Sequence, residues 1–351
     1  MKGGRARLLG AVRRERVDVT PVWFMRQAGR SLPRYRELRR RWGLMEMVHQ
    51  PELCAEVTCM PVDLLGVDAA VLFADIMLPL EGMGVPFELR EEVGPWVGDP
   101  IRSAQQVRAL RRPAVEEAYP FLLEGIRIAR ERLGERAGLI GFGPSPFTLA
   151  CYLVEGHGSR DYPALRGLLR AEPELFSQLL GTLTVHLGDY LVAQAEAGCE
   201  VVQVFDSWVG VLDERAFREH LLPHLRDLFA RLQGSVPAIY FSTASSHLLP
   251  VFADLGAQGV SVDWRVPLDT AWDLVGAEHC LQGNLDPAAL LAPWERLRPL
   301  AEDVLARARG RRGHVFNLGH GVLPDTDPAQ LRRLVELVHE FHWQEGRPLP
   351  T

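Results

Sequence analysis

Lysine is almost missing from this chain. Lys2 is the sole one among 351 residues, and arginine carries the rest of the positive charge. A lysine Schiff base, to a substrate carbonyl or to pyridoxal phosphate, therefore has no plausible residue. Asparagine is nearly as scarce, with Asn284 and Asn317 alone. Lys and Asn codons are A-rich, so a GC-rich genome accounts for both shortages. The two asparagines that remain fall in QGNLDP and NLGHG. That placement hints at a specific job for each side chain, with ordinary turn chemistry as the alternative. The five cysteines (54, 59, 151, 199 and 280) are odd in number, scattered and without CxxC spacing. They exclude a disulfide framework or a paired-cysteine zinc site and suit a reduced, cytoplasmic protein. No apolar run is long enough to span a bilayer. The arginine-rich start, MKGGRARLLGAVRRER, lacks an apolar h-region and a cleavage-like site, and reads as a first amphipathic helix. A net charge of −6 argues against general nucleic-acid or anionic-membrane binding. It leaves room for a local arginine pocket that takes a small polyanion.

What is present is an ordinary globular composition, 47% hydrophobic and 24% charged, ample for a large core. Short apolar runs alternate with longer helical patterns. Expected strands are 22–25, 69–73, 139–142, 201–205, 238–241, 260–262, 281–283 and 314–317. Expected helices include 174–197, 214–232, 294–308 and 328–342. Eight such alternations predict an α/β chain forming a single (β/α)8 TIM barrel over residues 1–351, with an N-terminal helical extension. An open doubly wound sheet would want a Gly-rich phosphate turn after its first strand, and RQAGR has a single glycine. Residues 86–92, PFELREE, read as a short strand outside the barrel, and 94–100 as a loop.

The chemistry-bearing residues fall at the expected strands' C-terminal ends, the face on which barrel enzymes build their sites. PVWFMRQAGR (21–30) ends in Arg26 and Arg30, whose forked guanidinium groups suit carboxylates. A solvated surface loop is the plainer reading. Asp75 is a lone carboxylate in VLFADIMLPL, fit for a charge in an apolar site or for capping the next helix. Ser207 and His320 also end expected strands. His220 and His224 are spaced i,i+4, but Pro223 and the flanking pattern favour a surface helix over a metal site.

Three long stretches carry a resemblance. PVWFMRQAGR followed by LPRYRELR, GFGPSPFTLACYLVEG at 141–156 and NLGHGVLPDTDP at 317–328 resemble the signatures of the uroporphyrinogen decarboxylase family. LFAD ending at Asp75, FDS ending at Ser207 and QGNLDP from Gln282 occur between them in the family's order. The resemblance implies loss of CO₂ from the four acetate arms of uroporphyrinogen III, giving coproporphyrinogen III in tetrapyrrole biosynthesis. It implies no cofactor and no metal, because a protonated pyrrole serves as the electron sink. It further implies that Asp75 faces the pyrrole N–H groups and the developing positive charge. Arg26, Arg30 and Arg39 would hold carboxylates, and Tyr152, Phe205, Ser207 and His320 would contact substrate. Asp75, Arg26 and Tyr152 would form the catalytic set. Proton donation by an arginine would need a special environment or a bridging water. Arg34 and Arg36 match nothing in the family pattern and are expected to be solvated. A homodimer with facing clefts is implied too.

The sequence departs from the family pattern twice. Ser31 stands where an aromatic residue is usual, and the segment from Ile239, IYFSTASSHLLP, lacks a Gly-Lys-Gly pattern. Two alternatives remain. Related barrel methyltransferases bind zinc through His-x-Cys and a distant cysteine, whereas His247 has no cysteine nearby and Cys280 directly follows His279. A non-catalytic tetrapyrrole carrier would keep the same pocket, and turnover separates it from an enzyme.

Overall fold

The computed structural model describes residues 3–90 and 94–343. In chain order its strands are β1 (Ala69–Val71), β2 (Phe87–Arg90), β3 (Gly94–Val97), β4 (Gly138–Pro144), β5 (Val201–Asp206), β6 (Ala238–Ser242), β7 (Gly259–Ser261), β8 (Cys280–Leu285) and β9 (His314–Leu318). Seven of them form one parallel sheet in the order β1-β4-β5-β6-β7-β8-β9. Every residue of β4, β8 and β9 is buried, as expected where helices cover one face of a parallel sheet and packed side chains the other.

Proline begins many of the covering helices, among them Pro120–Leu133, Pro146–Glu155, Pro173–Ala197 and Pro328–Glu340. At the first helical turn its missing N–H costs nothing and its φ is already helical. The last of these helices buries Leu331, Leu334, Val335 and Val338, a stripe at helical spacing. Each of its fully buried leucines contributes about 1.5–3 kcal/mol of burial free energy. The expected first helix forms at Gly4–Val12. Its Leu8 packs so closely on the start of β4 that a Cβ on Gly138 would lie 2.6 Å from Leu8 Cδ2. This helix therefore covers the end of the sheet opposite the strand C-termini.

Of the eight expected strands, seven form near their expected places and the first does not. Residues 22–25 make a single parallel bridge, Val22 to Phe316 on β9. Phe316 N–H donates to Pro21 O (2.9 Å), and Trp23 N–H to Phe316 O (3.3 Å). On the other side Asp68 N–H donates to Val22 O (2.8 Å). Side chains then replace the ladder. Val22 N–H donates to Asp68 Oδ2 (2.9 Å), Met25 N–H to Asn317 Oδ1 (3.0 Å), and Gln27 Nε2 to Ala69 O (2.9 Å). A longer ladder is blocked because Pro21 has no N–H and Arg26 turns the chain with φ +58°.

Two further expectations change. Within 94–100, residues Gly94–Val97 are not loop but the second strand of an antiparallel hairpin with β2. The expected strand at 86–92 forms at Phe87–Arg90, and its last two residues lie outside the described residues. The helix expected at 214–232 is broken into Glu214–Ala216, a wide turn at Phe217–Leu221, and Leu222–Leu232. Pro223 explains the break, since it offers no N–H and its ring crowds the carbonyl one turn back.

Candidate active site

Asp75 lies past the end of β1, and its position is set by its own backbone. Its Oδ1 accepts the Met77 N–H at 2.9 Å, so it does cap the turn that follows. Its other carboxylate oxygen has no hydrogen-bond partner among the described residues. Burial pushes the carboxyl above the usual range, opposed by the Met77 N–H and by the charge of Arg26.

Arg26 follows the bridged segment in a left-handed conformation. It is exposed, and its guanidinium has no hydrogen bond or ion pair among the described residues. Its stem is fixed from the β9 side. Val322 N–H donates to Met25 O (2.8 Å), and a Cβ on Gly321 would lie 2.4 Å from Arg26 Cδ. The charge of Arg26 acts on Asp75, Tyr152 and His320 alike, which places these groups in one neighbourhood.

Tyr152 sits on the helix Pro146–Glu155, started by Ser145, whose Oγ accepts the Thr148 N–H at 2.9 Å. Burial raises its phenol to about 12, and the nearby Asp75 charge adds to the rise. The phenol is therefore a protonated donor at neutral pH. Its ring stands edge-on to Trp208 at 6.2 Å. Phe142, Phe205 and Phe241 form an edge-to-face row at 5.4 and 5.5 Å, continued by His320 at 6.3 Å. Burial, then Arg26 and Arg265, depress His320 to about 4, so this imidazole is neutral. Ser207 is half-buried between Asp206 and Trp208. Asp206 is fully buried and engaged at both oxygens, by Thr148 Oγ1 (2.9 Å) and Tyr240 Oη (2.7 Å).

Arg30 and Arg39 flank this cluster. Both charges act on Tyr35, whose ring meets Phe73 edge-on at 5.9 Å, just before Asp75. Arg30 has no side-chain partner among the described residues, while Arg39 Nη1 donates to Trp42 O (2.8 Å). Arg34 and Arg36, expected to be merely solvated, are exposed but engaged. Arg34 pairs with Glu56 and Glu37, and Arg36 Nη1 ties the turn through Arg30 O and Ser31 O.

Sequence reading missed five neighbouring residues: Trp208, Gly321, and the Asp263–Trp264–Arg265 run past β7. The signal for that run lay in Asn284, one of the two scarce asparagines. Its Nδ2 donates to Asp263 O (2.8 Å) and Val266 O (2.7 Å), pinning the loop. Asn317 does the equivalent for the arginine segment. Among the described residues no three His, Cys, Asp or Glu side chains group as metal ligands would. His247 Nε2 instead lies 2.8 Å from Leu212 O, and Cys280 is buried with its thiol pushed up to about 12.

An open guanidinium, a partly buried carboxylate and a protonated phenol thus lie within electrostatic reach of one another, with aromatic rings nearby. A family model described as uroporphyrinogen decarboxylase (URO-D) matches residues 4–341. The chain belongs to the uroporphyrinogen decarboxylase family. The uroporphyrinogen decarboxylase of Roseiflexus sp. (strain RS-1) is 44% identical over 342 residues, covering 96% of this chain and 98% of that relative. That of Thermobifida fusca (strain YX) is 47% identical over 332 residues, covering 94% and 91%. Among solved structures, a methyltransferase from Methanosarcina mazei matches with a TM-score of 0.82 at 23% identity, covering 97% of this chain and 99% of its own. That likeness is one of fold.

The two departures from the uroporphyrinogen decarboxylase pattern sit differently in the fold. Ser31 is buried, and its Oγ has no partner among the described residues. In the segment after β6, Ala244 takes φ +54°, a conformation that favours glycine, and the Asp263 carboxylate holds its N–H at 2.6 Å. No described helix is long and apolar enough to cross a membrane.

Proposed function

We propose that this site decarboxylates the four acetate side chains of uroporphyrinogen III to methyl groups, giving coproporphyrinogen III, without a cofactor or metal. The observation that carries the reading is the juxtaposition of Arg26, Asp75 and Tyr152 in a chain of this family. A proton adds to a pyrrole carbon and makes the ring cationic. The bond to the carboxylate breaks, CO₂ leaves, and the electron pair flows into the ring. A second proton converts the exocyclic carbon to methyl, and the ring proton is lost. The net change per arm is one proton taken up and one CO₂ released.

Asp75 supplies the anion that faces the cationic ring, preorganised by Met77 so that no reorganisation is needed. Arg26 and Arg30 take substrate carboxylates, with Arg39 beside them. Tyr152 donates a hydrogen bond. His320, being neutral, accepts or donates one without adding charge. Phe205 packs on the tetrapyrrole and Ser207 contacts a polar edge of it. We also read residues 22–25 as the eighth staves of a closed (β/α)8 barrel. In support, Trp23 Nε1 donates to Gln282 Oε1 (3.0 Å), and Gln282 Nε2 donates onward to Gln203 Oε1 and Ser261 Oγ (both 2.9 Å), linking this segment to β8, β5 and β7. The working form is taken to be a cytoplasmic homodimer. Anaerobic incubation of metal-chelated protein with uroporphyrinogen III, then oxidation and chromatography of the porphyrins, tests the reaction. Stepwise loss of four carboxylates is expected; folded protein that leaves the substrate intact refutes it.

A further inference from the structure

Arg265, past the end of β7 and next to the ring that meets His320, is an arginine to which no substrate role has been given. It is half exposed, with 46% of its side chain accessible. Two contacts nevertheless fix it. Its guanidinium carbon sits 4.2 Å from the centre of the Trp264 ring. Its Nη1 donates to Asp263 Oδ2 (2.5 Å) and Thr243 Oγ1 (3.3 Å). Asp263 is itself buried and held by the Ala244 and Arg265 N–H groups at 2.6 and 2.9 Å. The loop beneath is pinned by Asn284, and a Cβ on Gly319 would lie 2.4 Å from Trp264 N. The arginine is thus preorganised, while its Nε and Nη2 have no partner among the described residues. Those two N–H groups form the side-on fork that a carboxylate fills with two parallel hydrogen bonds.

The fork belongs to the same rim as the site. Trp264 meets His320 edge-on at 6.5 Å, and Arg265 and Arg26 both act on that imidazole. Arg26 also acts on Asp75, and Arg265 does not figure among the charges that do. We propose that Arg265 is a specificity-determining residue that grips a carboxylate of the tetrapyrrole which is not the one reacting, an arm retained in the product. Resting on the function proposed above, this predicts equal binding to substrate and product, and so an effect on KM but not on kcat.

The test compares wild type with Arg265→Gln and Arg265→Lys on uroporphyrinogen III, with coproporphyrinogen III as product inhibitor. Turnover by the wild type checks the reaction itself, independently of this arginine. Arg265→Gln should raise KM and the product's Ki by the same factor, about tenfold for one half-exposed charge-assisted pair, with kcat unchanged. Arg265→Lys should recover only part of the loss, because a point charge cannot reproduce the fork. Unchanged KM and Ki in a folded Arg265→Gln protein would overturn the proposal, as would a loss confined to kcat.

Discussion

Asp75→Asn is the perturbation that isolates the charge of Asp75 from its shape. Asparagine keeps an oxygen for the Met77 N–H, so the turn after β1 should survive. What disappears is one negative charge in a buried setting. At about 4 Å from a cationic ring, with an effective dielectric near 20, such a charge is worth about 4 kcal/mol. Removing a single preorganised electrostatic group elsewhere costs about 10²–10³ in kcat, the same range. Anaerobic turnover of uroporphyrinogen III should therefore fall by about 10²–10³-fold. Stability should move the other way or stay level, because burial already disfavours the ionised form. Thermal unfolding measured beside turnover separates the two effects. A variant that keeps kcat within about tenfold of wild type would refute the electrostatic role. One that loses stability and activity together would make Asp75 a structural cap.

Arg26 holds the Asp75 carboxyl down, so Arg26→Gln should move the acid limb of the kcat/KM profile to higher pH while lowering kcat/KM by about 10–100-fold; an unmoved limb would break the coupling. Gly321→Ala places a methyl group against the Arg26 stem, Cβ included at 3.1 Å, and should lower kcat/KM about tenfold with little change in Tm. Asp206 is raised by burial to about 6, against the lowering effect of hydroxyl partners that include Tyr240 and Thr148. Its folded value exceeds its unfolded one, so its contribution is fully present below about pH 4 and is lost as pH rises through 6. Chemical denaturation across that window should show a loss of up to ~3 kcal/mol that Asp206→Asn abolishes.

The parallel strands were legible because each is a short apolar run bounded by helical periodicity, and the arginine, aspartate and histidine positions followed from where those runs end. Residues 22–25 look identical to the others in sequence. Pro21 just before them was the one visible warning; the turn at Arg26 has no pattern of its own, and the rest is tertiary, because the carboxylate of Asp68 and the amide of Asn317 take backbone groups a ladder would have used. Pro223 was visible, yet a helical stripe runs through it, and the accommodating wide turn has no pattern of its own. Arg265 escaped although its strand was expected, because its neighbours Trp264 and Asp263 become meaningful only when Asn284 and Gly319 press against them.

The Met25–Asn317 hydrogen bond joins residues 292 positions apart. During synthesis the arginine segment leaves the ribosome long before the strand that seats it, roughly 15–60 s earlier at ordinary elongation rates. Until then Val22, Trp23 and Phe24 are apolar side chains without their final neighbours. The arginine segment thus cannot take its final place until residue 317 has been made, and a chain ending before that residue would lack the amide that seats Met25.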